Sequence, residues 1–216
     1  MITFRGGVQM QIPRSFHLNG WWLTAWIAVA IVAVVGVGAL ATTDAVDGAR
    51  LTVRYTARTS LVLFMLAFAA SSLLILAPSR PARWLRRNRR YLGLAFAFSH
   101  TLHGLALITL ASLDPSLFSS LTSPVTYLAG GTADLFIFLM AVMSFDRTAV
   151  LIGPRSWRWL HALGAWYIWS SFALNFGKRF AVNPAYWPAM ALVVLALMIR
   201  LIAGLRETQR KNMSVL

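Results

Sequence analysis

The sequence contains no cysteine. Disulfides, thiolate-held metals, iron–sulfur clusters and cysteine nucleophiles are therefore all excluded. Acidic residues are nearly as scarce, with 6 Asp and Glu among 216 residues, and charged residues of both signs reach only 12%. A soluble domain carries about 25% charged residues, so this chain has too little charge to coat a water-soluble globule, which argues against a soluble enzyme. Disorder is opposed by the 58% apolar content, because disordered segments need low hydrophobicity. No Gly-rich fingerprint follows a strand-like run, so no bound NAD or FAD module is encoded. No internal repeat of 20–50 residues or low-complexity tract appears either.

What is present is apolar and basic. Lys and Arg number 20, for a formal net charge of +14. Such an excess can serve nucleic acid. Here the basic residues sit between long apolar runs, so they read as topology-setting charges facing anionic lipid headgroups, and no nucleic-acid partner is expected.

A hydrocarbon core about 30 Å thick takes roughly 20 apolar residues as helix. Six stretches qualify: Trp21–Ala41, Ser60–Ala77, Tyr91–Leu113, Tyr127–Phe145, Trp157–Phe176 and Tyr186–Leu205. The first is too long for a signal-peptide apolar region, which runs about 7–15 residues, and reads as a retained span. The expected fold is an all-α membrane protein, a six-span bundle over 21–205 with a segment 1–20 before it and a tail 206–216 after it. With six spans, fifteen of the twenty basic residues share the side of the termini, which places both termini in the cytoplasm. The segment Ala111–Pro124, on the opposite side, is expected to lie along the outer surface.

Ionisable groups inside spans are costly and are candidates for function. The third span holds His100 and His103, the fourth Asp134 and the fifth His161. His17 precedes the first span and reads as interfacial. A neutral imidazole is a good iron ligand and a standard axial ligand of haem. His100 and His103, three residues apart, share one face of their helix. Against this stands the plainer reading of hydrogen-bonded interhelical histidines. Asp134 could relay protons or bind a cation, or pair structurally with Thr132, the helix backbone, Arg54 or Arg58; the structural pairing is favoured.

The stretch RRYLGLAFAFSHTLH, from Arg89 to His103, resembles the third helix of the ferric reductase-like transmembrane superfamily, closest to its MsrQ (YedZ) group. RSWRWLH, from Arg155 to His161, is similar to the opening of that family's fifth helix. YTARTSLVLF before the second span and TSPVTYLAGGTADLFIFLMAVMSF at the fourth are similar too. The resemblance covers about residues 50–205. It implies b-type haem between spans three and five, one or two groups or none. His103 and His161 match family ligands, His100 is a further candidate, and Arg89 and Arg90 are candidate propionate partners, although topology alone would also explain these arginines. It implies a bacterial inner-membrane electron-transfer subunit, with a flavin or quinone as electron donor and a redox partner protein or larger complex. The chain ends soon after the sixth span, so a fused dehydrogenase domain is not expected and a partner must supply electrons. The sequence departs from the family where a further His would follow His161, since Leu174 and Asn175 stand there.

Levels matter here, because both axial ligands of one iron must lie at one depth. At 1.5 Å per residue, His103 lies roughly 18–20 Å into its span and His161 only about 6 Å. Three arrangements stay open: one haem shared by His161 with His100 or His103 through a helix shift, two haems with one His each, or loss of haem in a haem-free accessory subunit. A small transporter built on Asp134 finds no support in an inverted repeat.

Overall fold

A computed structural model describes residues 18–213, and every regular element among them is helical. The helices are α1 (Trp21–Leu40), α2 (Ala45–Leu76), α3 (Arg80–Leu113), α4 (Pro115–Leu121), α5 (Pro124–Val142), α6 (Asp146–Val182) and α7 (Trp187–Met213), with a 3-10 turn at Pro184–Tyr186 before α7. Arg5, Arg14 and His17, with most of the expected segment 1–20, fall outside the described residues.

Several helices are longer than the apolar runs alone predict, because caps fix their starts further out. Asp44 accepts from the Asp47 amide, Ser79 from Ala82, Asp114 from Leu117 and Ser123 from Thr126. In α3, α4 and α5 a proline in the first two positions follows the cap, where its missing N–H costs nothing. The connection between α2 and α3 is thus only residues 77–79, and Arg80 to Arg90 ride on the first turns of α3 instead of forming a basic loop. The segment expected to lie along the outer surface contains the short helix α4.

Five helices are long and apolar enough to cross a membrane: α1, α2, α3, α5 and the 184–213 stretch that holds α7. The expected fifth span lies in α6, which falls short in composition and not in length. Its Trp, Tyr, Ser, His and Asn residues between 159 and 176 lower its hydropathy. Inside the bundle those polar atoms find partners: Trp157 Nε1–H donates to the Met143 carbonyl at 2.9 Å, Trp169 Nε1–H to Val193 at 3.2 Å and Tyr167 O–H to Ala129 at 3.1 Å. Gly153, at φ 72°, breaks α6 into a short entry and a long second part that opens on Pro154.

The long helices alternate in direction. Gly20 at the start of α1 meets Asn88 near the start of α3, Arg90 pairs with Asp146 at the start of α6, and Arg206 near the end of α7 reaches the Leu76 carbonyl at the end of α2. At the other end Arg58 of α2 sits over Tyr186, just before α7. The tightest seam joins α2 and α3, where Ala70, Ala95, Ser60 and Ser99 are wholly buried. Small residues let backbones approach there. Phe64, Phe68, Phe96, Phe172 and Phe176 fill the centre of the bundle. Most of α1 carries apolar side chains outward, with only Leu23, Ile31 and Gly38 buried, as expected of a helix set against lipid.

α1 is tied down by one buried polar residue. Asn88 accepts from the Gly20 amide at 3.0 Å and donates to Asn19 Oδ1 and the Trp84 carbonyl, both at 3.0 Å. Gly20 itself adopts φ 64° against the Tyr91 ring, a conformation that glycine takes readily and other residues at a cost. Asn88→Ala should therefore destabilise the chain by about 1–3 kcal/mol, through the donors and acceptors it strands. The check is thermal unfolding in detergent.

Candidate functional site

The histidines lie along a seam where α3 and α6 face one another inside the ring formed with α2 and α5. Their register follows from one ring contact. The His100 ring packs against Phe172, with centroids 6.3 Å apart. Arg89 stands eleven residues before His100, and His161 eleven before Phe172. His161 therefore lies level with Arg89, about 16 Å along the axis from the level of His100 at 1.5 Å per residue. By the same register Asn175 lies level with His103. The helix shift that would bring His161 to one iron with His100 or His103 is not present in this arrangement.

The three rings differ in how their nitrogens are occupied. His103 Nδ1 lies 3.1 Å from Thr56 Oγ1 and 3.2 Å from the Val53 carbonyl. The Thr56 hydroxyl proton is directed to the Thr52 carbonyl at 2.7 Å, so Thr56 Oγ1 and Val53 O both accept, and the neutral ring carries its proton on Nδ1. Nε2 is left with the lone pair, the state in which a metal-ligating His is held by a backbone carbonyl. His161 Nδ1 likewise donates to the Trp157 carbonyl at 3.0 Å, and its ring stacks on Trp157 with centroids 4.1 Å apart. His100 is engaged differently. Its Nε2 lies 3.3 Å from Asp134 Oδ1, and its buried Nδ1 has no partner among the described residues.

Asp134 thus finds neither Thr132 nor an arginine. Thr132 donates to the Leu128 carbonyl, and Arg58 lies over Tyr186. The partner of Asp134 is instead His100, a residue outside the expected set, across α3 and α5. The Asp134 side chain remains 57% exposed on the outside of the bundle. Asp134→Asn keeps an acceptor for His100 and should cost less than about 1 kcal/mol. Unchanged melting with lost reduction activity would instead mark a proton-carrying role.

The arginines also separate. Arg90 pairs with Asp146 at 2.9 Å, while its buried Nε has no partner among the described residues. Arg89 donates to Ser71 Oγ at 3.3 Å and reaches into the bundle. Ring contacts form a continuous string along the seam, from His103 to His100 (5.2 Å), Phe96 (5.6 Å), Phe64 (5.2 Å), Phe68 (5.5 Å) and Trp166 (5.4 Å). Among the described residues no three His, Asp or Glu side chains gather closely enough to hold a bare metal ion. A haem, which brings its own four nitrogens, needs only axial donors from the chain; the imidazoles that could supply them are His103 and, at a separate level, His161.

Sequence reasoning missed Thr56 and the Val53 carbonyl, which set the state of His103. Thr56 stands inside YTARTS, but nothing in its spacing announces a partner on another helix. No family model, curated protein or solved structure matches the chain.

Proposed function

We propose that the chain is a b-type haem-binding electron-transfer subunit of the ferric reductase-like kind, closest to the MsrQ group, set in a bacterial inner membrane with six spans and both termini cytoplasmic. The observation that carries this reading is His103, whose Nδ1–H is held by Val53 O and Thr56 Oγ1 so that Nε2 offers a lone pair inside the bundle. Haem supplies the one-electron carrier when bound. The residues of the chain orient the axial imidazole, pack Phe96 and Phe172 around the neighbouring His100 ring, and line the route toward Trp166 with aromatic rings. Arg89, level with His161, supports a propionate contact at the inner level. A quinol or a flavin reductase would be the donor and an outer partner the acceptor.

A haem-free accessory subunit is the second reading. It is favoured by Leu174 and Asn175, which leave His103 without a histidine at its level on α6. Haem extracted from the purified full chain and counted per protein separates the two. About one or two per chain supports the first, and none supports the second.

The six-span topology has its own test. Reporter fusions after Leu216 should behave as cytoplasmic and those within Ala111–Pro124 as periplasmic, following the excess of Lys and Arg on the side of the termini. A periplasmic C-terminus would mean that α6 does not cross.

A further inference from the structure

Two arginines meet inside the inner half of the bundle without a carboxylate. Arg89 of α3 donates to Ser71 Oγ at 3.3 Å, and Arg200 of α7 to the Phe68 carbonyl at 3.5 Å. Phe68 and Ser71 are three residues apart on α2, so both guanidiniums address one face of one turn. The Arg200 guanidinium lies over two rings, 4.3 Å from the centre of Phe68 and 5.0 Å from that of Trp166. Neither arginine forms an ion pair with a carboxylate among the described residues.

Each guanidinium carries five N–H donors, and each has one long hydrogen bond to a neutral oxygen. Two like charges held together in an apolar bundle with so few acceptors are expensive. The expense disappears if an oxyanion sits between them, since the guanidinium fork suits carboxylate and phosphate alike. Beside them Trp166 is 37% exposed while Phe68 is packed in the core, and the open Trp166 face suits a ligand with an apolar body behind its anionic group.

We propose that Arg89 and Arg200 form an oxyanion site between α2, α3 and α7, taking the charged group of an amphiphile whose apolar body lies along the exposed side of Trp166. The group is either the phosphate of an anionic phospholipid or the carboxylate of a bound cofactor. The site needs only an oxyanion and does not depend on haem being that ligand.

The full chain and its Arg89→Gln and Arg200→Gln variants would be purified in a neutral detergent. Thermal unfolding would be followed with added phosphatidylglycerol or phosphatidylcholine, and retained haem counted in parallel. For the phospholipid source, phosphatidylglycerol raises the melting temperature of the parent chain and phosphatidylcholine does not. The rise is lost in both variants while haem is kept in Arg200→Gln. For the cofactor source, both variants lose haem and the lipid response is equal for all chains. Arg89→Lys and Arg200→Lys keep the charge and cover the case in which a Gln variant does not fold. No phosphatidylglycerol-specific rise in the parent chain, together with unchanged haem in all four variants, overturns the site. A parent chain without haem removes the cofactor arm only, leaving the phospholipid arm to decide.

Discussion

Replacing His103 by alanine should strip the larger part of any bound haem from the purified chain, whereas replacing His100 should leave most of it in place. The two residues are one turn apart and their rings nearly touch, at 5.2 Å, so size and depth do not separate them. Their hydrogen bonds do. His103 has its Nδ1–H fixed on α2, which leaves the outer nitrogen Nε2 for a ligand, while His100 has its Nε2 on Asp134 and only the buried Nδ1, next to its own backbone, without a partner. Thr56→Val should weaken haem binding by about 10-fold through the lost orienting contact, at the low end of what outer partners of a ligand contribute. His161→Ala should remove a separate share, because His161 lies at the level of Arg89, and loss in the His103/His161 double variant should be additive. If His100→Ala loses as much as His103→Ala, the assignment by hydrogen bonding is wrong.

Ser99→Ile should be the most damaging single change in the packing. Ser99 and Ser60 are wholly buried where α2 and α3 approach most closely, with their hydroxyls 2.9 Å apart. Ser99 Oγ also lies 3.3 Å from the Thr56 carbonyl. Isoleucine adds methylenes where nothing can move aside, at about 1–3 kcal/mol, and strands the Ser60 hydroxyl for about 1–3 kcal/mol more. Ser99→Ala removes the same two interhelical hydrogen bonds, worth about 0.6 kcal/mol each inside a membrane bundle, and leaves the same Ser60 hydroxyl without its acceptor, so the two variants differ by the overpacking alone. Thermal unfolding of the two variants in detergent makes the comparison. Equal melting of both would mean that the α2–α3 seam is looser than described. Because the seam also carries Thr56, the Ile variant should lose haem together with stability.

Hydropathy alone places α1 almost to the residue, Trp21–Ala41 expected against Trp21–Leu40 found. It misses the first fifteen residues of α2, because VRYTARTS is polar and reads as loop. The spacing of Arg50, Arg54 and Arg58, four apart, is a helical signal in that stretch, and Asp44 is its cap. The depth difference between His103 and His161 is also legible, since it follows from counting residues along two parallel helices. The pairing of His100 with Asp134 is not legible. Contacts across α3 and α5 leave no fixed spacing in the chain. Arg200 could have been found. It is an ionisable group within an apolar run, but counting it with the cytoplasmic charges hid its place beside Phe68 and Trp166.

The central claim is that His103 holds haem, and a reduced-minus-oxidised visible spectrum of the purified full chain tests it most directly. The account predicts a sharp Soret band that shifts on dithionite reduction and is largely lost in His103→Ala. A spectrum without a Soret band, from a folded chain expressed with ample haem, would contradict it.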